Sequence, residues 1–247
     1  AVATVLVSAT PRVERRLMID GIAAGHESYE AALAAHPTVP IPDECEGGMM
    51  LYSSGTTGQP KGIIPPTLGA TYGTIPLVHD LNRRSYGVDG DTVYLSPAPL
   101  YHSAPLNFCL MVQRLGGTAV VMERFDAAAA LDCIARHQVT HSQWVPTMFV
   151  RLLKLPPTER AAYDLRSHRV AIHAAAPCPV PVKEAMIAWW GPILWEYYSA
   201  TERPGITVLP PADWERHQGS VGRAVLGELH VVADGGRECA PGESGTV

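Results

Sequence analysis

A stretch rich in glycine and in hydroxyl side chains follows a short apolar segment near residue 50. It runs Leu51-Tyr52-Ser53-Ser54-Gly55-Thr56-Thr57-Gly58-Gln59-Pro60-Lys61-Gly62. Its glycines permit backbone conformations that a Cβ disfavours, so successive amide N–H groups can converge on an anion. The hydroxyls can donate hydrogen bonds to phosphate oxygens, and the lysine supplies a positive charge. The stretch therefore predicts a polyphosphate cradle built from Ser53, Ser54, Gly55, Thr56, Thr57, Gly58 and Lys61.

The composition of this stretch is compatible with two other interpretations. A surface loop without a ligand is the usual meaning of a Ser/Thr/Gly-rich composition. A Walker-type loop needs Gly before its lysine and Ser or Thr after it, whereas Lys61 follows Pro60 and precedes Gly62. The mononucleotide-kinase class is therefore disfavoured, and the density of hydroxyls favours the cradle over a plain surface loop.

Short β-branched runs alternate with helical patterns along the chain, and these elements must position the loop. Such runs predict strands at residues 4–7, 48–52, 92–95, 118–122, 140–145 and 170–174. Strands that alternate with helices form a mostly parallel sheet covered by helices. The sequence therefore predicts an α/β fold of mostly parallel sheets layered with helices, forming a core region over residues 1–224.

Three helices carry clear sequence signals. The first is predicted over Asp126 to His137, with Asp126 as its N-cap and a supporting Asp132–Arg136 pair four residues apart. A second begins at Pro146 and is expected to end near Pro156. The third begins near Pro181, and its predicted core-facing stripe consists of Val182, Ala185, Met186 and Trp189.

The pattern changes near residue 225. A short β run at 228–233 is followed by the turn residues Asp234-Gly235-Gly236 and then by Pro241-Gly242. Turn residues at this spacing are typical of short antiparallel strands. Residues 225–247 are therefore predicted to begin a small β subdomain.

Composition and charge exclude several classes of protein. The net charge is -5, the pI is about 6.1, and Lys and Arg form no run longer than two, so no basic footprint for nucleic acid is present. Five scattered cysteines without a Cys-x-x-Cys pair argue against a disulfide framework or a zinc site and favour a cytoplasmic location. No apolar run approaches the roughly 20 residues of a transmembrane helix. The apolar opening, residues 1–9, is predicted to be a buried strand.

The phosphate-loop stretch resembles that of the adenylate-forming superfamily, which includes acyl-CoA synthetases, luciferases and peptide-synthetase adenylation domains. Four further segments resemble elements of this family in the same order along the chain. They are Pro97-Ala98-Pro99-Leu100-Tyr101-His102, Ala174-Ala175-Ala176-Pro177, Tyr198-Ser199-Ala200-Thr201-Glu202 and Gly219-Ser220-Val221-Gly222-Arg223. The resemblance implies an acyl-CoA-synthetase-like fold.

The resemblance also implies a role for individual residues. His102 would line the acid pocket, and Tyr198 would stack on adenine, where Ala174, Ala175, Ala176 and Pro177 would also lie. Thr201 would hydrogen-bond the α-phosphate, and Glu202 would hold Mg²⁺. Ser199 stands where the family has Gly, within the same nucleotide-binding segment. Lys61, His102, Thr201 and Glu202 form the implied catalytic set.

Ordinary structural roles remain the alternatives for these side chains. Tyr198 could be a packing tyrosine, Glu202 a solvated loop carboxylate and His102 a hydrogen-bonded packing residue. Trp144 could line the acid pocket or belong to the core. His137 and His141 are four residues apart, but they straddle a predicted break between helix and strand, which argues against a metal site.

The implied activity is attack of a carboxylate on ATP, with Mg²⁺ present, to give an acyl-adenylate and pyrophosphate, followed by transfer to coenzyme A. No carboxylate stands at residues 100–103, where amino-acid-activating relatives carry an Asp for the ammonium group. A fatty, aryl or similar acid is therefore favoured over an amino acid. Luciferase-type oxidation and other acyl acceptors stay open.

A non-catalytic nucleotide-binding module is the hypothesis from another class. The family's front part and its C-terminal subdomain with the catalytic lysine are not found in residues 1–247, so we expect this chain alone to bind ATP weakly and to turn over poorly. The sequence sets neither the acid nor an oligomeric state.

Overall fold

The computed structural model describes residues 2–53, 59–64, 69–202 and 205–247. The chain divides into two compact units, residues 1–45 and 46–247. Among the described residues, no helix combines the length and apolar character required to cross a bilayer.

The first unit contains two helices and a short parallel sheet. Its elements are α1 (Val2–Ala9), β1 (Leu17–Met18), β2 (Glu27–Ser28) and α2 (Tyr29–Ala34). The Ser28 hydroxyl caps α2 by accepting a hydrogen bond from the Ala31 amide at 3.2 Å.

The predicted strand at residues 4–7 is wrong, because this segment is the helix α1. It is also not buried, since Val5 and Leu6 are 66% and 45% exposed. A short apolar run does not distinguish strand from buried helix by its periodicity. No described strand pairs with this segment, and a helix satisfies its backbone groups internally where an isolated strand could not.

The second unit is an α/β layer structure. After the antiparallel pair β3 (Leu51–Ser53) and β4 (Lys61–Ile63), its elements are α3 (Leu77–Tyr86), β5 (Val93–Ser96), α4 (Ser103–Arg114), β6 (Thr118–Val121), α5 (Ala127–His137), β7 (His141–Trp144), α6 (Pro146–Leu153), α7 (Pro157–Arg160), β8 (Val170–His173), α8 (Val180–Trp190), β9 (Leu194–Tyr198), β10 (Ile206–Leu209), α9 (Pro211–Trp214) and β11 (Arg223–Leu226).

Seven of these strands form one sheet in the order β11-β10-β9-β8-β7-β5-β6. The five strands from β9 to β6 in that order run parallel, and β10 and β11 add antiparallel pairings at one edge. The predicted mostly parallel α/β fold is confirmed. The predicted strand at 48–52 belongs instead to the separate β3–β4 pair, and β9, β10 and β11 were not predicted as strands.

Helices cover both faces of the sheet. Leu131, Ile134, Phe149 and Met186 of α5, α6 and α8 pack on one face in a core that includes Trp144. Phe108, Met111 and Val112 of α4 pack with Tyr86 of α3 and Tyr94 of β5 on the other. Each face therefore buries its own apolar cluster.

The helix signals were confirmed in large part. Asp126 caps α5 by accepting from the Ala129 amide at 3.0 Å, and Asp132 pairs with Arg136 at 3.0 Å. Helix α6 begins at Pro146 but ends at Leu153, before the predicted end.

The predicted stripe on α8 needs a correction, because Ala185 is exposed and Lys183 is buried. Lys183 faces inward because a carboxylate, that of Glu196 on β9, lies opposite it at 2.6 Å. Met186 is buried as predicted.

The predicted boundary at residue 225 falls within β11, which is still part of the main sheet. Beyond it, Val232 forms isolated antiparallel bridges with Glu238 and Thr246. A small β subdomain beginning here stays a prediction. The turn into β11 requires Gly222, because its φ is +89° and a Cβ would overlap the carbonyl of Val208.

Candidate functional site

A cavity of about 320 Å³ lies at the carboxyl ends of the parallel strands. Residues that follow β5, β7, β8 and β9 line it, and the first turns of α4 close one side. Because β6 and β7 lie on opposite sides of β5, the chain reverses its winding direction beside this cavity. Such switch points are where open α/β sheets bind ligands.

Five of the residues assigned to nucleotide binding or catalysis from the sequence line this cavity. They come from three separate segments: His102 at the start of α4, Ala174 and Ala175 after β8, and Ser199 and Thr201 after β9. The parallel strands bring these segments together although up to 99 residues separate them in the chain, from position 102 to position 201. Their roles toward a ligand remain predictions.

The segment after β8 has a strained backbone at the cavity wall. Ala175 has φ +73°, in the left-handed region that residues with a Cβ disfavour. Such conformations persist only where the surrounding structure holds them, and they cluster at ligand sites. Ala175 is exposed and lines the cavity, so this backbone is accessible to a ligand there.

The N-terminus of α4 also faces the cavity. His102 occupies the N-cap position without a capping side-chain hydrogen bond, and Ser103, Ala104 and Pro105 of the first turn line the wall. The first amides of a helix carry a partial positive charge and unpaired donors. This wall therefore suits a carboxylate or phosphate oxygen.

A buried hydrogen-bond chain reaches the cavity through Gln143 and Tyr197, which form its polar floor. The Tyr94 hydroxyl donates to Gln143 Oε1 at 3.3 Å, and Gln143 Nε2 donates to the Tyr197 hydroxyl at 3.0 Å. Burial raises the pKa of both phenols above the ordinary value, so both stay protonated. Phe108 stacks on Tyr94 with ring centroids 5.8 Å apart. The floor thus combines aromatic faces with fixed polar groups.

Trp144 belongs both to the cavity wall and to the core, the two alternatives left open by the sequence. It is 1% exposed, and its ring centroid lies 5.3 Å from that of Trp190. Its indole N–H donates to Ser142 Oγ at 2.5 Å, and this hydroxyl lies 2.6 Å from His168 Nε2. Burial lowers the pKa of His168 to about 3, so its ring is neutral and the indole orientation is fixed.

Other predicted residues lie beside the cavity without lining it. Tyr198 is 47% exposed, and Ala176, Pro177 and Glu202 are exposed next to residues that form the wall. Ser199, which replaces the family's Gly, uses its hydroxyl to donate to the Gly205 carbonyl at 2.8 Å. The serine therefore ties together the two ends of the segment between β9 and β10.

The phosphate loop is described only at its ends. Ser53 and Lys61 are paired in register across β3 and β4, so both ends of the predicted cradle lie side by side. The Lys61 side chain is exposed. The predicted ligands Ser54, Gly55, Thr56, Thr57 and Gly58 lie outside the described residues.

The sequence missed several residues that shape the cavity. Val78 and Asn82 come from α3, Asn107 from α4, and Gln143 and Tyr197 from the strands. A signal existed for Gln143, because it lies inside the strand predicted at residues 140–145, where a buried polar side chain usually has a hydrogen-bond partner. The α3 residues carry no such signal, since only packing brings that helix to the cavity.

Mg²⁺ is the metal that the resemblance to adenylate-forming enzymes implies. Among residues 2–53, 59–64, 69–202 and 205–247, no group of three His, Cys, Asp or Glu side chains could hold a metal by itself. Mg²⁺ commonly uses one or two carboxylates together with substrate phosphates. The exposed carboxylate of Glu202, next to the cavity-lining Thr201, fits that requirement.

Comparison with known proteins places this geometry in a family. Residues 2–247 match the family model described as AMP-binding enzyme. The chain is 34% identical over 181 residues to 4-coumarate–CoA ligase 1 of Oryza sativa subsp. japonica, covering 72% of this chain and 30% of that protein. It is 28% identical over 222 residues to feruloyl-CoA synthase of Amycolatopsis sp, covering 88% and 43%.

A solved structure shows the same fold. The amide bond synthetase McbA from Marinactinospora thermotolerans superposes with a TM-score of 0.77 at 25% identity, over 98% of this chain and 48% of that one. The chain thus spans between about a third and a half of the length of these relatives. Because the family model covers nearly every residue, the chain belongs to the AMP-binding enzyme family.

Proposed function

We propose that the whole protein containing these residues activates a carboxylic acid with ATP and transfers the acyl group to coenzyme A. The observation that carries this proposal is the single cavity shared by His102, Ala174, Ala175, Ser199 and Thr201. These residues come from three sequence elements that resemble acid- and nucleotide-binding elements of the family. They converge at the switch point of the sheet, which is where a nucleotide would be expected to bind.

The chemistry follows from what each wall offers. A carboxylate oxygen attacks the α-phosphorus of ATP, the bond to the pyrophosphate oxygen breaks, and an acyl-adenylate and pyrophosphate form. Thr201 is assigned to the α-phosphate, and Lys61 to the phosphates that leave. Coenzyme A then attacks the acyl carbon through its thiol, and AMP leaves. Positioning and electrostatics supply most of such catalysis.

Mg²⁺ would neutralise phosphate charge when ATP is bound, and Glu202 is the residue assigned to hold it. The N-terminus of α4 would orient the anionic group of the acid. His102, at the N-cap of this helix, would contact the acid carboxylate without transferring a proton.

We propose an aryl acid rather than a fatty acid as the substrate class. The cavity is lined by the rings of Phe108, Trp144 and Tyr197, which suit a flat aromatic body. Gln143 and Asn107 also line it, and each already has a hydrogen-bond partner within the protein, so these polar groups are fixed before an acid binds. Two of the relatives are named for hydroxycinnamate-type acids, coumarate and ferulate, which supports the same class.

An amine in place of coenzyme A is the second candidate for the acyl acceptor. It is favoured by the similarity to an amide bond synthetase over 98% of this chain. Both acceptors consume the same acyl-adenylate. The first half-reaction is therefore common to the two proposals.

Exchange of labelled pyrophosphate into ATP tests the first half-reaction in the whole protein. We expect exchange with aryl acids such as 4-coumarate, and at least tenfold less with decanoate. Thr201→Val should lower the exchange rate at least tenfold, while the matched change Thr158→Val on the exposed α7 should leave it unchanged. Exchange that is absent with every acid, or equal in the two variants, would contradict the assignment.

The acceptor is tested separately, by adding coenzyme A or an amine to enzyme that carries a preformed acyl-adenylate. Thioester formation supports the coenzyme A proposal, and amide formation without thioester supports the alternative. Exchange with neither product would leave the acid-activation step correct and both acceptors wrong.

A further inference from the structure

A buried ion pair lies behind the cavity wall, and the proposed function does not use it. Lys183 of α8 and Glu196 of β9 are 1% and 7% exposed, and Lys183 Nζ donates to Glu196 Oε2 at 2.6 Å. In the part of the chain that the structure describes, every other pair of Lys or Arg with a carboxylate keeps at least one side chain more than a quarter exposed.

The surroundings keep this pair isolated from other charges. His173 Nε2 lies 3.5 Å from Glu196 Oε2, but burial and then the charge of Lys183 lower the His173 pKa to about 3, so the ring is neutral. Burial raises the pKa of the Cys178 thiol to about 11, so it is protonated. The Trp214 ring lies 5.4 Å from Lys183 Nζ and adds a cation–π contact.

The pair lies beside β8 and β9, two of the four strands whose following residues line the cavity. His173 and Glu196 are paired in register on β8 and β9. The residue after each of them, Ala174 and Tyr197, lines the cavity, because successive strand residues point to opposite faces. Lys183 lies on the helix that follows the strained Ala175, so the loop from β8 to α8 is anchored at both ends.

Stability alone does not explain such a pair. Replacing a buried ion pair with apolar residues of similar volume is often neutral or stabilising, whereas removing one partner leaves an uncompensated buried charge. The contact is, however, directional, since the ammonium must meet one carboxylate oxygen. An ion pair can therefore set the position of α8 against β9 more narrowly than an apolar contact.

We propose that Lys183 and Glu196 are positioning residues that hold the two halves of the cavity wall in register. The pair fixes α8 on β9 so that residues 174–175 and residues 199–201, which follow the adjacent strands β8 and β9, keep their positions in the cavity wall. The position of this ion pair does not depend on a ligand. Only a test by nucleotide binding rests on the proposed function.

Amide hydrogen exchange of the chain provides the ligand-independent test. Lys183→Met alone should unfold at lower urea concentration, because Glu196 is left buried without its cation. The double variant Lys183→Met/Glu196→Leu should regain the wild-type urea midpoint while the amides of 174–176 and 199–201 exchange at least tenfold faster. The matched double variant Arg136→Met/Asp132→Leu, which breaks an exposed pair on α5, should exchange like wild type at these positions.

Nucleotide binding provides the second readout, with ATP and Mg²⁺ as the probe. We expect the Kd of the Lys183→Met/Glu196→Leu variant to be at least tenfold weaker than that of wild type. Amide exchange rates at 174–176 and 199–201 that equal those of wild type in this variant would overturn the inference. Loss of the variant's cooperative unfolding transition would also overturn it, because the pair would then act on the stability of the whole fold. ATP binding is measured on the whole protein; if its wild type does not bind ATP, the proposed function fails, and the amide exchange data alone decide the inference.

Discussion

Two neutral buried histidines are expected to make the stability of the protein strongly dependent on pH below neutrality. His168 and His173 are 6% and 0% exposed. Burial is the main cause that lowers the pKa of each to about 3, with the charges of His141 and Lys183 as the second cause. In the unfolded chain both would titrate near the ordinary value of about 6.5.

The sign follows from proton binding in the two states. Between about pH 6.5 and pH 3 the unfolded chain holds a proton on each ring and the folded protein does not, so acid favours unfolding. The stabilising contribution is complete above about pH 6.5 and is lost progressively as the pH falls. At about 1.4 kcal/mol per pH unit, each histidine lowers the unfolding free energy by about 2 kcal/mol between pH 7 and pH 5, and the two together lower it by about 4 kcal/mol.

This amount is large for a domain whose unfolding free energy is typically about 5–15 kcal/mol. His141 contributes in the same direction, because burial lowers its pKa. His230 changes the unfolding free energy in the opposite direction, since hydrogen bonding to Glu238 raises its pKa. Its contribution is small because the side chain is exposed. Below about pH 5 carboxylates also titrate, so the comparison ends there.

Urea unfolding followed by tryptophan fluorescence at pH 7, 6 and 5 measures the effect. His168→Asn and His173→Asn should each be less stable than wild type at pH 7, yet each should lose about 2 kcal/mol less on going to pH 5. His36→Asn, at an exposed position, is the control and should keep the wild-type slope. A wild-type loss below about 1 kcal/mol, or unchanged slopes in both buried variants, would refute the reasoning.

Three further perturbations test other parts of the structure. Gly222→Ala should lower the unfolding free energy by at least about 2 kcal/mol, because the added Cβ would overlap the Val208 carbonyl. Gly235→Ala, where φ is similar and the space around the Cβ is open, should lower it by about 1 kcal/mol. Equal urea midpoints of the two variants would contradict this prediction. Asp126→Ala should cost about 1 kcal/mol through loss of the α5 cap, and Asp126→Asn should recover most of it in the same assay. Lys61→Ala should leave the unfolding free energy within about 0.5 kcal/mol, since the side chain is exposed, while pyrophosphate exchange by the whole protein falls at least tenfold; unaltered exchange would remove Lys61 from the phosphate site.

Local patterns predicted the interior elements well, because their signals are short-range. The α5 cap at Asp126, the Pro146 helix start and the strands β5 to β8 each depend on residues within one or two turns of the chain. The strand predicted for the opening segment was wrong because it too was predicted from short-range signals alone. Its composition suits either strand or helix, and the presence of a partner strand, which decides between them, is a non-local fact.

The candidate site also combines features that local sequence predicts with features that depend on non-local contacts. By itself the sequence determined which segments are candidates for the chemistry, because hydroxyls, glycines and a Thr-Glu pair at fixed spacing are local properties. Only the tertiary structure decided that His102, Ala175 and Thr201 share one cavity, since β5, β8 and β9 become neighbours through crossovers that no single segment encodes. The hydrogen-bond chain of Tyr94, Gln143 and Tyr197 and the buried Lys183–Glu196 pair likewise depend on contacts between distant strands and helices, because a buried polar group is stable only where packing supplies its partner.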